Sequence, residues 1–328
     1  MNEHMSEQSP LSLTRCRLCP RSCGVNRILG ETGFCGGGAD AQVAKVMLHH
    51  WEEPCISGFG GEKDPRGSGA VFFAHCSLGC LYCQNRDISG RDSTVGKTMT
   101  AGELAETFLD LQEKGAYNLN LVTPTHYAAQ IAEALTIARE KGLTLPVIWN
   151  TGGYESVPVL KALAGLVDVY LTDFKYADSA LAAALSHAPD YRAAAAEALA
   201  EMVRQTGEVQ FDETGMLRRG VIVRHLCLPG YRKDSIAVLQ TVAETVNPAD
   251  VRLSLMRQYT PDFAAKSDFL KECLSCGGCA EVPKSLLRRI TAFEYQSVLD
   301  EAVRLGFDGY TQEKESAVRQ YTPDFLGK

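Results

Sequence analysis

Between residues 70 and 260 the chain alternates short apolar runs with longer amphipathic or alanine-rich segments. Short apolar runs bounded by turn residues are typical of strands buried on both faces. Six of them predict strands at residues 70–74, 117–122, 146–149, 167–171, 220–226 and 251–255. The segments between them predict helices at residues 102–114, 127–141 and 190–205, the last with Asp190 as its N-cap and Gly207 after its end. Strands that alternate with helices predict βαβ units and a parallel sheet.

The same pattern divides the chain into three parts. Residues 1–69 are rich in Gly and Cys and have little periodic apolar pattern, which favours a small module folded around bound ligands. Residues 70–260 carry the alternating strands and helices, and residues 261–328 form a C-terminal extension. We therefore expect one α/β domain between two smaller pieces.

Composition and charge narrow the class of protein. The chain has 328 residues and a formal net charge of −7, and no run of Lys or Arg stands out. Binding of nucleic acid requires a basic face, so we expect no nucleic-acid partner. The apolar stretches are shorter than a membrane span, and the polar N-terminal residues show no signal peptide. We expect a cytoplasmic protein that does not contact a membrane.

Twelve cysteines are the outstanding feature of the composition. A disulfide framework is not expected in a chain of this length without a secretion signal. Only Cys55 and Cys227 stand apart from the other cysteines. The rest form three groups, namely Cys16, Cys19, Cys23 and Cys35; Cys76, Cys80 and Cys83; and Cys273, Cys276 and Cys279. Gaps of two or three residues let one short loop bring several thiolates to a single metal centre.

Polar residues follow the predicted strands. In a parallel sheet all carboxyl ends meet on one face, where ligands bind. The group Cys76, Cys80 and Cys83 follows the first strand. After the other five strands come Thr123, Thr125 and His126; Asn150 and Thr151; Asp173 and Lys175; Arg224 and His225; and Arg257, Gln258 and Tyr259. Loops are polar in general, but a three-cysteine loop together with two histidines favours an active site.

The segment from Cys76 to Cys83 reads Cys-Ser-Leu-Gly-Cys-Leu-Tyr-Cys. Three thiolates on a four-iron cubane leave one iron open, and that iron can chelate the amino and carboxylate groups of a methionine-type ligand. A reduced [4Fe–4S] cluster beside a sulfonium can then cleave the carbon–sulfur bond, and the adenosyl radical so formed abstracts hydrogen. A closed zinc site needs four ligands, whereas this loop supplies three. A zinc loop and plain buried thiols are the alternatives.

The Cys-x3-Cys-x2-Cys loop, with an aromatic residue before its last cysteine, resembles the signature of the radical S-adenosylmethionine superfamily. The stretch Cys83-Gln84-Asn85 is similar to the Cys-His-Asn of glycyl-radical activating enzymes. Most of the chain resembles the branch related to the pyruvate formate-lyase activating enzyme. This likeness is carried by residues 19–27, 52–58, 122–126, 173–175 and 224–230. The resemblance implies a partial (βα)6 barrel of the TIM type, a [4Fe–4S] cluster and S-adenosylmethionine.

The resemblance also implies roles for the residues at the strand ends. Cys76, Cys80 and Cys83 would be the catalytic cluster ligands. The expected cofactor contacts are Tyr82, Asn85, Thr123, Thr125, His126, Asn150, Thr151, Asp173, Lys175, Arg224 and His225. Of these, Tyr82 is expected against the adenine, and Asn150 and Thr151 near the ribose.

Other members of this set have less specific implied roles. Asp173 and Lys175 match an Asp-x-Lys of the activases, which contacts cofactor or substrate backbone. Arg224 and His225 are candidates for contacts to the cofactor's carboxylate or for orienting the substrate. The superfamily often has Gly-Gly-Glu where this chain has Thr-Pro-Thr-His126. For both histidines a structural role is the alternative.

The first cysteine group gives four soft ligands within twenty residues, beside several glycines. Cys16, Cys19, Cys23 and Cys35 can close around Zn²⁺ or around a second iron–sulfur cluster. A module with reduced thiols and no metal is the alternative.

The C-terminal extension has two unusual features. Cys273, Cys276 and Cys279 have the spacing of the first three ligands of a ferredoxin run, but Pro283 stands where the fourth cysteine normally lies. An auxiliary cluster and a redox-inert turn both fit this spacing. The heptapeptide Arg-Gln-Tyr-Thr-Pro-Asp-Phe occurs at residues 257–263 and again at 319–325. The simplest interpretation of the second copy is a tail that packs over the barrel.

Three functions are compatible with these features. The first is an activase that generates a radical on a protein partner such as a glycyl radical enzyme, with reduced flavodoxin or ferredoxin as the electron donor that the family implies. The second is radical chemistry performed directly on a peptide or small metabolite. The third is a non-catalytic iron–sulfur carrier or sensor, which would not need polar residues at six strand ends. The oxygen sensitivity of an exposed cluster suggests anaerobic physiology.

Overall fold

The computed structural model describes residues 8–262, 284–312 and 323–325. The auxiliary cluster considered for Cys273, Cys276 and Cys279 therefore lies outside the described residues, as does part of each copy of the repeated heptapeptide. Within the described residues, no helix is both long enough and apolar enough to cross a membrane.

A sheet forms the centre of the described part of the chain. Its strands are β1 (Ala41–His49), β2 (Ser68–Phe73), β3 (Lys97–Met99), β4 (Leu119–Val122), β5 (Val147–Thr151), β6 (Val169–Asp173), β7 (Gln210–Phe211), β8 (Leu217–Leu226), β9 (Val251–Met256) and β10 (Gly309–Thr311). Six of them, β2, β4, β5, β6, β8 and β9, lie side by side in chain order, and each neighbouring pair is parallel. These six are the strands that the apolar runs predict.

Helices connect the parallel strands. They are α1 (Pro54–Ser57), α2 (Arg86–Ser89), α3 (Ala101–Glu113), α4 (Ala128–Glu140), α5 (Val157–Ala162), α6 (Ser179–Ser186), α7 (Tyr191–Thr206), α8 (Arg232–Thr245) and α9 (Ala292–Arg304). At least one helix lies between each pair of successive parallel strands. This order confirms the predicted α/β fold of the partial (βα)6 barrel type.

Further strands extend the sheet at its edges. β10 adds in parallel to β9, β1 pairs antiparallel with β2, and β3 pairs antiparallel with β1. The short β7 pairs antiparallel with β8. Across the strands that the structure describes, the edge strands β3 and β10 do not pair with each other, so the barrel is open. The sequence pattern did not indicate β1, which lies within residues 1–69 and joins this stretch to the main sheet.

The two faces of the sheet have different surroundings because successive residues of a strand point to opposite sides. On β2, Val71 and Phe73 belong to the large apolar core that includes the helices. Ala70 and Phe72 belong to a smaller cluster on the inner face of the barrel.

The short helix α1 enters the inner side of the barrel. Cys55 and Ile56 are buried against Ile148, Leu171 and Ile222, which come from three parallel strands. The amide of Asn118 donates to the backbone oxygen of Ile56 at 2.7 Å. The preceding residues of this segment are thereby held inside the barrel.

Replacing Ile56 by Ala is expected to lower the free energy of unfolding by about 2–5 kcal/mol, because it leaves a cavity inside the barrel. The same substitution at Ile28, which is 43% exposed, is expected to cost less than about 1 kcal/mol. Urea denaturation of both variants measures the difference. Equal losses at the two positions would contradict the packing of α1 against the inner face.

Candidate functional site

A cavity of about 410 Å³ lies at the carboxyl ends of the parallel strands. Its walls include the predicted cluster ligands Cys76, Cys80 and Cys83. Most of the other predicted site residues also line it, namely Tyr82, Asn85, Thr123, Asn150, Thr151, Asp173, Lys175 and Arg224. Thr125, His126 and His225 are not among the lining residues. The fold thus brings to one cavity eleven of the fourteen residues that were expected to be cluster ligands or cofactor contacts.

The turn between β2 and the cysteine loop is fixed by His75. Its φ of 71° is a left-handed conformation that residues other than glycine seldom adopt. The backbone N–H of His75 donates to Ile88 O at 2.6 Å. Its ring nitrogens lie 3.1 Å from Gly90 O and 3.2 Å from Gln42 Oε1. These contacts fix the direction in which the chain leaves β2, and so the position of Cys76.

Each sulfur of the loop has a hydrogen-bond donor. Leu78 N donates to Cys76 Sγ at 3.4 Å, and Ser186 Oγ donates to Cys80 Sγ at 2.9 Å. Cys83 accepts hydrogen bonds from the hydroxyl of Ser89 and the backbone N–H of Asn85. Donors aimed at sulfur stabilise thiolates and influence the potential of a bound cluster.

Burial and mutual proximity raise the pKa values of two of these thiols, Cys76 and Cys83. Burial, followed by the charges of Cys80 and Cys76, raises the pKa of Cys83 to about 12. Burial and the charge of Cys80 also raise the pKa of Cys76. Three sulfurs that repel one another in a buried cavity need a cationic partner to become thiolates together.

The donor set fits a [4Fe–4S] cluster, because one short loop brings three thiols to one cavity. A cubane binds each cysteine through a different iron, so its ligands surround a cluster and do not converge on one point. Three thiols with their own donors in one strand-end cavity fit that requirement.

A chain of hydroxyl groups leads away from Cys80. Ser186 Oγ, which donates to Cys80, lies 2.7 Å from Tyr176 Oη, and this oxygen lies 2.6 Å from Tyr82 Oη. All three hydroxyl-bearing residues are buried. Ser186 and Tyr176 have no local signal in the sequence, because they come from α6 and from the segment after β6.

Asp173 and Lys175 form an ion pair in the cavity wall. Burial alone would lower the pKa of Lys175, but the charges of Asp173 and Cys80 hold it well above its ordinary value. The lysine therefore carries a positive charge beside the cysteine loop at neutral pH.

Arg224 contacts two carboxylates that are not among the predicted site residues. Its Nε donates to Glu53 Oε1 at 2.9 Å, and its Nη2 contacts both Glu52 and Glu53. Glu52 Oε1 also accepts from Asn120 Nδ2 at 3.0 Å and from Asn150 Nδ2 at 3.2 Å. Both glutamates belong to the segment that ends in α1. The contact of Arg224 with a cofactor carboxylate stays a prediction.

The charges of this network depend on one another. Burial would raise the pKa of Glu52, but Arg224 and His49 lower it below its usual value. Burial would lower the pKa of Arg224, but Glu52 and Glu53 hold it well above its usual value. A buried guanidinium is costly unless it is paired and hydrogen-bonded, and here two carboxylates provide that compensation.

The two histidines lie away from the cavity. His225 follows Arg224 on β8 and therefore points to the opposite face, where its Nδ1 lies 2.7 Å from Phe174 O. His126 Nε2 lies 2.8 Å from Ala74 O. Burial lowers the pKa of His225 to about 4 and that of His126 to about 3. Both rings are thus neutral at pH 7, and this placement favours the structural alternative for each.

Thr125 belongs to a buried network behind the cavity. Its hydroxyl contacts Glu155 and lies 3.2 Å from Thr151 Oγ1, and the hydroxyl of Thr151 also contacts Glu155. Burial raises the pKa of Glu155 to about 7 despite these hydrogen bonds. Thr151 thus connects the cavity wall to an acid that is protonated over part of the physiological range.

The N-terminal cysteines lie near one another. Cys16, Cys19 and Cys35 are buried, and Cys23 is exposed. Burial, with the nearby Cys35, Cys16 and Cys23, raises the pKa of Cys19. Metal binding by this group stays a prediction.

Two arginines connect this N-terminal region to the barrel. Arg21 donates to Ser77 O at 2.6 Å, to His187 O at 2.9 Å and to Ser186 O at 3.1 Å. Arg27 donates to His126 O at 2.6 Å and lies 3.5 Å from Cys35 Sγ.

Arg21 also packs against an aromatic ring. Its guanidinium lies 3.5 Å from the centroid of Phe34. By holding Ser77 against the C-terminal end of α6, Arg21 positions the cysteine loop next to Ser186.

No protein-family model matches this chain. Uncharacterized protein MJ0674 of Methanocaldococcus jannaschii is 27% identical to it over 300 residues, which cover 89% of this chain and 75% of that protein. A radical SAM methyltransferase from Sphaerobacter thermophilus has a TM-score of 0.47 and 16% identity, covering 74% of this chain and 65% of its own. Methylornithine synthase (PylB) has a TM-score of 0.40 and 17% identity, covering 72% and 68%. The residues of the cavity are therefore the basis for inferring a function.

We expect the free energy of unfolding of Glu155→Gln, relative to that of the wild type, to increase as the pH rises from 5 to 8. The folded-state pKa of about 7 exceeds that of an unfolded glutamate, about 4.3. In this pH range the folded wild type therefore binds more protons than the unfolded chain. Its free energy of unfolding falls by about 3–4 kcal/mol as the pH rises from the unfolded pKa through the folded pKa. Denaturation at several pH values measures this, with the exposed Glu140→Gln as control. A pH-independent difference would contradict the buried, neutral carboxyl.

Replacing Arg21 by Ala is expected to loosen the cysteine loop. Loss of three charge-assisted hydrogen bonds should accelerate amide hydrogen exchange at Leu81, which donates to Leu185 O at 2.9 Å, by about tenfold or more. The exposed Arg17→Ala is the matched control and should leave this exchange unchanged. Equal exchange in both variants would show that Arg21 does not hold the loop.

Proposed function

We propose that this protein is a radical S-adenosylmethionine enzyme that holds a [4Fe–4S] cluster through Cys76, Cys80 and Cys83. The observation that carries the proposal is the cavity at the strand ends, in which one short loop presents three sulfurs, each with a hydrogen-bond donor. When bound, a cluster of this kind with S-adenosylmethionine supplies one-electron reductive cleavage of the sulfonium and abstraction of hydrogen.

The chain's own residues provide the surroundings for that chemistry. Ser186 donates a hydrogen bond to Cys80, and Lys175 places a positive charge beside the cysteine loop. The backbone contacts of Arg21 hold the loop in place. The cavity walls exclude bulk water from most of this region, since the loop cysteines are at most partly exposed.

The ends of the strands offer polar groups for a zwitterionic cofactor. Asn150 and Thr151 reach the cavity from β5, Asp173 and Lys175 from the end of β6, and Arg224 from β8. We assign Asn150 and Thr151 to the ribose side and Tyr82 to the adenine side, as the resemblance implies. Arg224 is compensated by Glu52 and Glu53, so a ligand carboxylate would have to share its guanidinium with them.

We propose an activase role, in which the hydrogen is taken from a protein partner such as a glycyl radical enzyme. The support is the likeness of the stretch from Cys83 to Asn85 and of the other matching segments to activating enzymes. Reduced flavodoxin or ferredoxin would supply the electron. Radical chemistry on a peptide or small metabolite is the second candidate. A simple electron carrier is disfavoured, because it would not need the polar residues that line the cavity.

Replacing Cys76, Cys80 or Cys83 by Ala is expected to abolish reductive cleavage of S-adenosylmethionine, because each substitution removes one of three cluster ligands. After anaerobic reconstitution and reduction with dithionite, the measurement is 5′-deoxyadenosine formed per chain, together with bound iron. Cys227→Ala is the matched control, since this buried cysteine lies in another cluster of the core. Cleavage by the triple variant at the wild-type level would overturn the proposal.

A further inference from the structure

The repeated heptapeptide contacts the cavity from two sides. Gln258, Tyr259 and Thr260 of the first copy line the cavity that holds the three cysteines. Pro323 of the second copy lines the same cavity. Copies of one short sequence, 62 residues apart in the chain, therefore border one site.

The described end of the second copy is held by a defined seat. Phe325 is buried against Ala70, Phe72, Ile88 and Val122, which we call the Phe325 seat. The rings of Phe325 and Phe72 pack edge to face, with centroids 5.4 Å apart and an interplanar angle of 72°. Edge-to-face aromatic pairs contribute beyond the area that they bury.

The seat is continuous with the wall of the cavity. Phe72 and Val122 contact Phe325 and also line the cavity. Ile88 belongs to α2, directly after the cysteine loop. A polypeptide whose aromatic side chain occupies the seat therefore has its neighbouring residues at the edge of the cavity, as Pro323 does.

The contact also uses the polypeptide backbone. Lys45 Nζ donates to the backbone oxygen of Asp324. A contact to a main-chain carbonyl can be made by any peptide, whereas the seat selects an aromatic side chain. One buried aromatic anchor with backbone contacts beside it is a common form of peptide recognition.

We propose that the Phe325 seat is the docking site for a polypeptide substrate that carries an aromatic residue, and that the chain's own tail holds this seat in the free protein. The inference rests on the proposed function for the reaction that follows docking, and it names the substrate class as polypeptide. Because the tail is part of the same chain, its effective concentration is high, and an external segment binds only by displacing it.

The test uses the full-length chain and a fluorescein-labelled synthetic peptide with the sequence of residues 319–325. Phe325→Ala empties the seat and is expected to bind the labelled peptide at least tenfold more tightly than the wild type by fluorescence anisotropy. Phe59→Ala, at an exposed phenylalanine, is the matched control and should bind as weakly as the wild type. A peptide with Ala in place of its phenylalanine should not bind.

A second variant keeps the test independent of core packing. Adding Lys45→Met to Phe325→Ala removes the contact to the backbone and should weaken binding of the peptide again, while thermal unfolding stays unchanged. Equal affinity of the peptide for the wild type and for Phe325→Ala would overturn the inference. Equal affinity of Phe325→Ala for the peptides with and without phenylalanine would also overturn it.

Cleavage of S-adenosylmethionine is measured on the same preparations. If Phe325→Ala binds the peptide but does not cleave S-adenosylmethionine, the docking site is supported and the proposed function is contradicted. Cleavage without peptide binding overturns the seat and leaves the proposed function in place.

Discussion

The structure depends on six parallel strands that follow one another in chain order, because this arrangement sends every strand's carboxyl end to the same face. Side chains from residues 76 to 224 meet there although the chain separates them widely. The cysteine loop occupies the first of these ends, and His75 and Arg21 fix it from two directions. Without the parallel sheet, the three thiols would have no polar walls opposite them.

Charge balance inside the barrel is the second constraint. Arg224 is stable in this position because Glu52 and Glu53 neutralise it, and these glutamates are held there because α1 packs against the inner face. The apolar packing of α1 thus holds the two glutamates in place, and the glutamates in turn compensate the charge of Arg224. Lys175 and Asp173 balance each other in the same way on the neighbouring strand.

The sequence predicted the six parallel strands because short apolar runs mark buried strands. It also predicted that the residues after these strands lie near one another, because parallel strands end on one face. It could not separate Arg224 from His225, since polarity alone does not tell which of two adjacent strand residues points inward. Ser186, Arg21 and Glu52 escaped prediction for another reason. Each acts through contacts to residues more than fifty positions away, such as Arg21 on Ser77, and no local spacing signals such a contact. β1 was missed because its burial alternates only weakly.

The most direct measurement is electron–nuclear double resonance on the reduced, reconstituted protein. The central claim is that three cysteines leave one iron open for S-adenosylmethionine. With cofactor labelled by ¹⁵N in its amino group and ¹⁷O in its carboxylate, the cluster signal should show coupling to both nuclei. A cluster signal that persists with neither coupling would contradict the claim.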